Sequence, residues 1–84
     1  MRHAGAATLD SLEPLLRRIR TCAALREKSR GIFYVKSRAY LHFHEDPAGV
    51  FVDIRARDGK DFDRFKLDAA GEAELMARIG ELAA

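Results

Sequence analysis

The chain has 84 residues, of which 48% are hydrophobic and 33% are charged, with one cysteine and a formal net charge of +2. This length allows a single domain, residues 1–84, with a thin core, and the composition excludes a disordered chain. The lone Cys22 excludes an internal disulfide framework. No apolar run is long enough for a signal peptide or for the ~20 residues of a membrane span, so we expect a cytoplasmic protein with no membrane partner.

The first element predicted along the chain is a helix. Residues 1–8 are small and polar and are expected to form a loose terminus. Ser11 suits the N-cap of a helix, and Glu13 falls in its first turn, where a negative charge is favourable. Apolar residues then recur at helical spacing: Leu12, Leu15, Leu16, Ile19 and Ala23. The pattern predicts a helix that ends near Ser29, before Gly31, with an apolar stripe and an Arg-rich exposed face.

Between Ile32 and Leu67 the spacing of apolar residues changes from helical to alternating, which is typical of strands. Four β-like runs, IFYV, AYLHFH, VFVDIRAR and DFDRFKL, are separated by the turn-like segments KSR, EDPAG and DGK. They predict a four-stranded antiparallel meander. The Asp-Gly pair at 58–59 predicts a two-residue type I′ turn, which sets Asp53 opposite Arg64 in the last hairpin.

The predicted register gives the sheet one apolar and one polar face. In the middle hairpin, a four-residue loop at 45–48 sets Phe43 opposite Val50, which continues the same division into faces. The first hairpin contains no glycine, and its register stays open. The core face comprises Leu41, Phe43, Val50, Val52, Ile54, Phe65 and Leu67. The reverse face carries rings, imidazoles and charges: Tyr40, His42, His44, Phe51, Asp53, Arg55, Phe62, Arg64 and Lys66.

A second helix is predicted after the last strand, and Asp68 is suited to cap it. Residues on one side of this helix recur at steps of three and four: Glu72, Leu75, Met76, Ile79 and Leu82. Two helices with one apolar stripe each cover only one face of a sheet. The predicted fold is therefore α+β: helix, four-stranded antiparallel meander, helix, with both helices on one face. The reverse face is left to solvent or to a partner.

Charge is distributed unevenly along the chain. Residues 1–40 hold nine Lys and Arg against three acids, and residues 41–84 hold six against ten. Six of the cations lie in or near the predicted first helix: Arg17, Arg18, Arg20, Arg26, Lys28 and Arg30. Two interpretations stay open. Either the acidic second half of this chain or of a partner neutralises the basic helix, or the helix forms a binding surface for nucleic acid or another polyanion.

The run LHFHEDPAG contains the most unusual candidate for a site. His42 and His44 are two residues apart on a strand, so their side chains leave the same face with Cα atoms about 6.5–7 Å apart. Two imidazoles at that spacing could bind one divalent metal ion, with Glu45, Asp46 or Asp53 as a carboxylate ligand. Cross-strand packing of the two rings and a partner interface are the alternatives.

The same face interleaves aromatic rings with cations, an arrangement that stacks bases and neutralises phosphates in domains that bind single strands on a sheet. No phosphate-binding glycine motif and no Cys-x-x-Cys pair occurs, so neither enzyme activity nor a cofactor is expected. We therefore predict a non-enzymatic binding or interaction module that forms a homodimer through this face or a sheet edge. The alternatives are a nucleic-acid or polyanion binder that uses the basic helix and the same face, and a divalent-metal protein that uses His42 and His44.

Parts of the chain resemble the MmcQ/YjbR group of small bacterial proteins. The resemblance lies in the order of a helix, the strand pair IFYVKSRAYLHFH and the strand-to-helix run DRFKLDAAGEAELM, about half of the chain. It implies a frataxin-like fold in an uncharacterised bacterial domain family and a DNA-binding role, which favours the basic-surface hypothesis. The HFHEDPAG hairpin has no counterpart in that group, and no functional residue is carried over.

Overall fold

The computed structural model describes residues 1–82, which form an α+β fold with an antiparallel sheet and three helices. Its elements, in chain order, are β1 Arg2–His3, α1 Ala6–Ser11, α2 Glu13–Ile19, β2 Leu25–Ser29, β3 Ile32–Val35, β4 Arg38–Asp46, β5 Gly49–Arg55, β6 Phe62–Lys66 and α3 Ala69–Leu82. The strands lie in the order β2-β3-β4-β5-β6, and β1 pairs with β4 beyond the end of β3. No helix within residues 1–82 is long and apolar enough to cross a membrane.

The core lies between the helices and one face of the sheet. Its buried apolar side chains are Leu15, Leu16 and Ile19 of α2, Phe33, Leu41, Phe43, Val52 and Ile54 of the sheet, and Leu75 and Ile79 of α3. Leu9 of α1 and Leu25 of β2 pack against this cluster. The predicted division of the sheet into an apolar and a polar face is confirmed, because the buried residues of β4 and β5 all belong to the predicted core face, apart from one aspartate.

The first third of the chain departs from the predicted single helix. α1 ends at Ser11, the residue expected to start the helix, α2 ends at Ile19, and the residues from Leu25 onwards form β2. Pairing with β3 decides this, because Leu25 lies opposite Val35 and packs against the core, whereas Ala23 is exposed. Tertiary pairing has therefore overridden the high helix propensity of the run LREK.

Residues 1–8 are not loose, because they take part in the sheet and in a helix. Arg2 of β1 lies opposite Glu45 of β4, and His3 lies opposite His44. α1 follows directly. The prediction was wrong because the last residues of β4 extend beyond β3 and offer their backbone to a further strand.

The last hairpin has the predicted register and a different turn. Asp53 lies opposite Arg64, which confirms the alternation of faces. Gly59 has a positive φ of 77°, but Asp58 does not, so the turn is not of type I′, which needs a positive φ at both positions. Strand pairing ends one residue pair before the predicted turn, where the N–H of Ala56 donates to the carbonyl of Asp61 over 2.7 Å.

The middle hairpin has a register two residues away from the predicted one. Phe43 lies opposite Val52 instead of Val50, and strand pairing continues to Asp46. The turn shrinks to the two residues at 47–48, and the Asp46 side chain accepts a backbone hydrogen bond of 2.8 Å within it. A shift of two residues leaves every side chain on its predicted face.

A β-bulge alters the position of Tyr40. In the pairing of β3 with β4, Phe33 lies opposite Leu41 and Tyr34 lies opposite Ala39, so Tyr40 has no partner. Its side chain packs against the core and not with the histidines of the reverse face. The same pairing defines the first hairpin, whose register the sequence left open, and it directs Phe33 into the core.

α3 begins at the predicted N-cap. The side chain of Asp68 accepts a hydrogen bond of 2.8 Å from the N–H of Gly71. A Cβ atom at Gly71 would lie 2.0 Å from the carbonyl oxygen of Lys66, so only glycine allows the first turn to approach the end of β6 this closely. The helix also buries Arg78, which is 5% exposed and donates to the carbonyl of Arg55 over 3.0 Å.

Candidate metal centre

The sheet face opposite to α2 and α3, here called the open face, carries the candidate site. Cross-strand pairs place its side chains next to one another: His42 with Asp53, His44 with Phe51, Asp53 with Arg64, Phe51 with Lys66, and Arg55 with Phe62. All the residues predicted for the reverse face are therefore neighbours except Tyr40, which packs against the core.

A third histidine joins the predicted pair. β1 places His3 directly opposite His44. The ring centroids are 4.5 Å apart for His3 and His44, 4.9 Å for His42 and His44, and 5.6 Å for His3 and His42. One nitrogen of each ring lies within 4.8 Å of a nitrogen of each of the other two rings. These three residues, here called the histidine cluster, are all the histidines of the chain.

His3 was not predicted as a ligand, because its strand has two residues and shows no alternation. The only signal in the sequence was that its residue type matches the pair on β4. Its position depends on the pairing of β1 with β4, which connects residues far apart in the chain.

Hydrogen bonds define the proton positions within the histidine cluster. Nη2 of Arg64 lies 3.1 Å from Nδ1 of His44, and a guanidinium can only donate. Nδ1 of His44 is therefore the acceptor, and the proton of the neutral ring lies on Nε2. That nitrogen is 3.0 Å from Nδ1 of His42, which accepts in turn. In this network Arg64 donates to His44, and His44 donates to His42.

Asp53 supplies a negative charge beside the histidine cluster. Its carboxylate accepts two hydrogen bonds from Arg64, of 2.6 and 2.8 Å. Its Oδ2 lies 3.9 Å from Nδ1 of His42 and 3.8 Å from Nδ1 of His44. The hydrogen bonds from Arg64 lower the pKa of Asp53. The carboxylate therefore stays ionised and places a negative charge beside both rings.

The two imidazoles on β4 are held in the neutral form. Their side chains are 16% exposed for His42 and 13% for His44. This burial is the main cause that lowers the pKa of both rings, and the nearby Asp53 opposes it only in part. Because a metal ion binds neutral imidazole, both rings are ready to act as ligands near neutral pH.

One pair of ring nitrogens lies near the spacing that a tetrahedral ion requires. Metal–nitrogen bonds of about 2.0–2.1 Å hold tetrahedral ligand atoms about 3.3 Å apart. Nδ1 of His42 and Nε2 of His44 are 3.0 Å apart. An ion held by these two nitrogens would replace their mutual hydrogen bond, and the proton of His44 would then lie on Nδ1, where Arg64 now donates. Asp53, whose Oδ2 is 3.8 Å from that nitrogen, would be the carboxylate beside the metal-bound ring.

Most cations of the predicted basic helix are paired with acids. Their ion pairs are Arg17 with Glu13, Arg18 with Glu72, Arg20 with Glu13 and Glu27, and Arg30 with Asp10 and Glu13. Of these pairs, only that of Arg18 with Glu72 joins the two halves of the chain. The others neutralise the basic half from within, so the helix offers a polyanion little unpaired charge.

Arg26 and Lys28 lie on β2 and not on a helix, and they help to form a different basic surface. With Lys36 they line a groove of about 460 Å³, here called the basic groove. Its lining residues within 1–82 include no carboxylate: Ala23, Ala24, Leu25, Arg26, Lys28, Lys36 and Ser37. Lys36 has a positive φ of 58°, and Nζ of Lys28 lies 4.5 Å above the ring of Tyr34.

Comparisons with known proteins return no match: no family model, no curated protein and no solved structure is similar to this chain. The resemblance to the MmcQ/YjbR group stays a prediction. Any function must therefore be argued from the geometry of the residues described above.

Proposed function

We propose that the protein binds a divalent transition-metal ion through the histidine cluster. The observation that supports this is the convergence of three imidazoles from two strands, with one nitrogen of each ring within 4.8 Å of the others. Asp53 adds to the case, because it is 5% exposed and lies beside two of the rings. Its carboxylate is paired with Arg64 and places a negative charge beside the rings that would hold a cation.

The donor set selects the class of ion. Imidazole nitrogens suit Zn²⁺, Ni²⁺ and Cu²⁺, whereas Mg²⁺ and Ca²⁺ prefer oxygen ligands. The single thiol, Cys22, packs against the core on the other side of the sheet and is not part of the set. Three protein ligands leave one position of a tetrahedral ion open for water or for a side chain of a partner.

Zinc calorimetry tests the proposal. We expect the wild type to bind one Zn²⁺ per chain near neutral pH, and His44→Ala to lose about tenfold to a hundredfold in affinity. Tyr34→Ala removes a ring from the same face outside the histidine cluster, so it should bind like the wild type. Affinity should fall as the pH drops below about 6, because protons then compete for the imidazoles. Equal heats from the wild type and His44→Ala would contradict the proposal.

A second candidate function, the binding of single-stranded nucleic acid or another polyanion, is favoured by the basic groove. Arg26, Lys28 and Lys36 line it without a carboxylate among the described lining residues. The ring of Tyr34 lies beside Lys28, and aromatic rings next to basic grooves stack bases in proteins that bind single strands. We therefore place this hypothesis at β2 and the β3–β4 turn and not at the helix, whose arginines are paired.

Anisotropy titrations with a labelled oligothymidylate test this second candidate. Single-strand affinity should fall with salt, with a logarithmic slope of about −0.7 per neutralised phosphate. The double variant Arg26→Glu/Lys36→Glu should bind about tenfold more weakly or worse. Arg17→Glu/Arg18→Glu changes the net charge equally on α2 and is the control. A wild type that does not bind at low salt, or equal losses in the two double variants, would refute the idea.

We also propose that the open face mediates self-association, as the sequence predicts. Within residues 1–82 the exposed large apolar side chains are Met1 and Phe62, and Phe62 lies on the open face with its ring 5.1 Å from that of His42. Covering that ring with a second copy would contribute about 25 cal/mol per Å² of buried apolar area.

A further inference from the structure

The third ligand of the histidine cluster comes from a part of the chain with few attachments. Residues 2–5, here called the β1 segment, include a strand of only two residues, both exposed. β4, by contrast, has nine residues and pairs with strands on both sides. A strand of two residues is shorter than the usual 3–10 and gains little from its own pairing. His42 and His44 are therefore fixed by the sheet, whereas the position of His3 depends on how the β1 segment docks.

Glu45 makes the side-chain contacts that dock the β1 segment. One carboxylate oxygen accepts the N–H of Gly5 over 2.6 Å, and the other accepts Nη2 of Arg2 over 3.2 Å. The backbone adds the antiparallel pairing of β1 with β4 and a further bond of 3.0 Å from the N–H of Ala4 to the carbonyl of Phe43. Glu45 touches none of the imidazoles through these bonds, so it acts on the histidine cluster only through the segment.

We propose that metal binding and docking of the β1 segment are coupled, with Glu45 as the positioning residue that keeps His3 in reach of the ion. This inference rests on the proposed metal function. An ion finds three imidazoles in the docked state and two in the undocked state, so it binds the docked state more tightly and shifts the chain towards it. Coupling between two equilibria is reciprocal, so docking raises metal affinity by the same factor by which the ion raises the docking constant. A contact that increases the docked fraction therefore also increases the apparent metal affinity.

The coupling also controls an edge of the sheet. β3 pairs with β4 only as far as His42, and the β1 segment covers the stretch from Phe43 to Glu45. When the segment is undocked, the backbone of that stretch becomes an open edge, and open edges pair with strands of other chains. A bound ion therefore keeps this edge closed, and removal of the ion exposes it.

Amide exchange of the wild type, followed by NMR, tests the coupling without any substitution. Zn²⁺ should slow the exchange of the Ala4 amide about tenfold or more, because that amide is protected only in the docked state. The Ala56 amide, which closes the distant last hairpin, should not respond. In His3→Ala, Zn²⁺ held by the remaining two rings should leave the Ala4 exchange unchanged.

Zinc affinity of two carboxylate variants tests the role of Glu45. Glu45→Gln should bind Zn²⁺ about tenfold more weakly while all three imidazoles remain. Asp46→Asn removes the same charge one residue further along, where the side chain accepts its hydrogen bond from the N–H of Ala48 instead of from the β1 segment, and should bind almost like the wild type. Equal losses in both variants would assign the effect to charge alone and overturn the positioning role.

The outcomes separate the coupling from the metal function on which it rests. Zn²⁺ binding that disappears in His42→Ala, together with unchanged Ala4 exchange in the wild type, would overturn the coupling and leave the metal site standing. No Zn²⁺ binding by the wild type would overturn both. Zn²⁺ binding with slower Ala4 exchange and a weaker Glu45→Gln would support both.

Discussion

The two faces of the sheet bury their side chains by different means. On the core face, α2 and α3 cover alternating apolar residues, so burial follows one repeated pattern. On the open face, Asp53 is 5% exposed because Arg64, His42 and His44 lie around it. An ionised group can be buried only when it is paired, so these side chains depend on one another individually. Periodicity specifies the first face and particular residues specify the second, which is where a function is expected.

Substitutions at two neighbouring residues of β3 should show the largest difference in stability between the two faces. Phe33 is 1% exposed in the core, whereas Tyr34 is half-buried on the open face below Lys28. In urea denaturation, Phe33→Ala should lower the free energy of unfolding by about 3–5 kcal/mol, because it leaves a cavity. Tyr34→Ala should lower it by about 1 kcal/mol or less. Similar losses from the two variants would mean that the open face carries as much of the stability as the core.

Arg78 is a polar exception on the core side, and its removal should have the next largest effect. Its guanidinium donates to the carbonyl of Arg55 over 3.0 Å and lies 3.1 Å from the carboxylate of Asp63. Arg78→Ala should lower the free energy of unfolding by about 2 kcal/mol, because it leaves a buried acceptor unpaired and a gap in the packing. Arg78→Met keeps the aliphatic stem and should lose only about 1 kcal/mol. Thermal and urea unfolding of both variants would show whether packing contributes, since identical losses would exclude it.

The alternating pattern predicted what repeats in the sheet. Val52 fell on the core face and Asp53 met Arg64, because a period of two assigns each residue to a face. The same pattern could not detect the slip in the middle hairpin. Phe43 opposite Val50 and Phe43 opposite Val52 divide the residues into the same two faces, and the turn alone decides between them.

The elements that the sequence did not predict are short and depend on distant parts of the chain. β2 consists of good helix formers and is a strand only because β3 pairs with it. β1 has two residues, too few to show a period. The candidate site was therefore half predicted. The spacing of His42 and His44 on one strand brought two imidazoles together, whereas His3 joined them through a pairing that no local pattern records.

Acid titration tests an exposed charge network on the helix side, in contrast to the shielded pair of Asp53 and Arg64 on the open face. We expect this network to change the free energy of unfolding by less than Phe33→Ala or Arg78→Ala does. Hydrogen bonds from Arg20 and Arg30 lower the pKa of Glu13 from 4.5 to about 2. Between these values the folded state binds fewer protons than the unfolded chain. The free energy of unfolding therefore falls as the pH falls through this window, and the contribution is complete above it.

Glu13→Gln should lose this part of the pH dependence and should be less stable than the wild type near neutral pH. Urea unfolding at a series of pH values across the window measures the slope. Asp61→Asn, in the exposed turn of the last hairpin, is the control and should keep the slope of the wild type. Parallel curves for Glu13→Gln and the wild type would show that the network does not stabilise the fold.

The smallest effect on stability is expected at Phe62, where the test concerns association. The ring is 36% exposed, with the guanidinium of Arg55 4.7 Å above it. Exposed substitutions usually change stability by no more than about 0.5 kcal/mol, so Phe62→Glu should unfold like the wild type. Ala70→Glu adds the same charge on an exposed position of α3 and is the control.

If two copies meet through their open faces, a two-fold axis brings identical patches together. Arg64 and Lys66 of each copy then approach like charges, and Asp53 is already paired with Arg64, so the apolar area of Phe62 must supply much of the attraction. Phe62→Glu removes that area and should weaken the dimer about tenfold in sedimentation equilibrium, while Ala70→Glu should not. A wild type that sediments as a monomer at high concentration would refute the homodimer. A dimer that is unchanged in Phe62→Glu would instead move the interface to an edge strand, β2 or β6, where backbone pairing and not the ring would join the two copies.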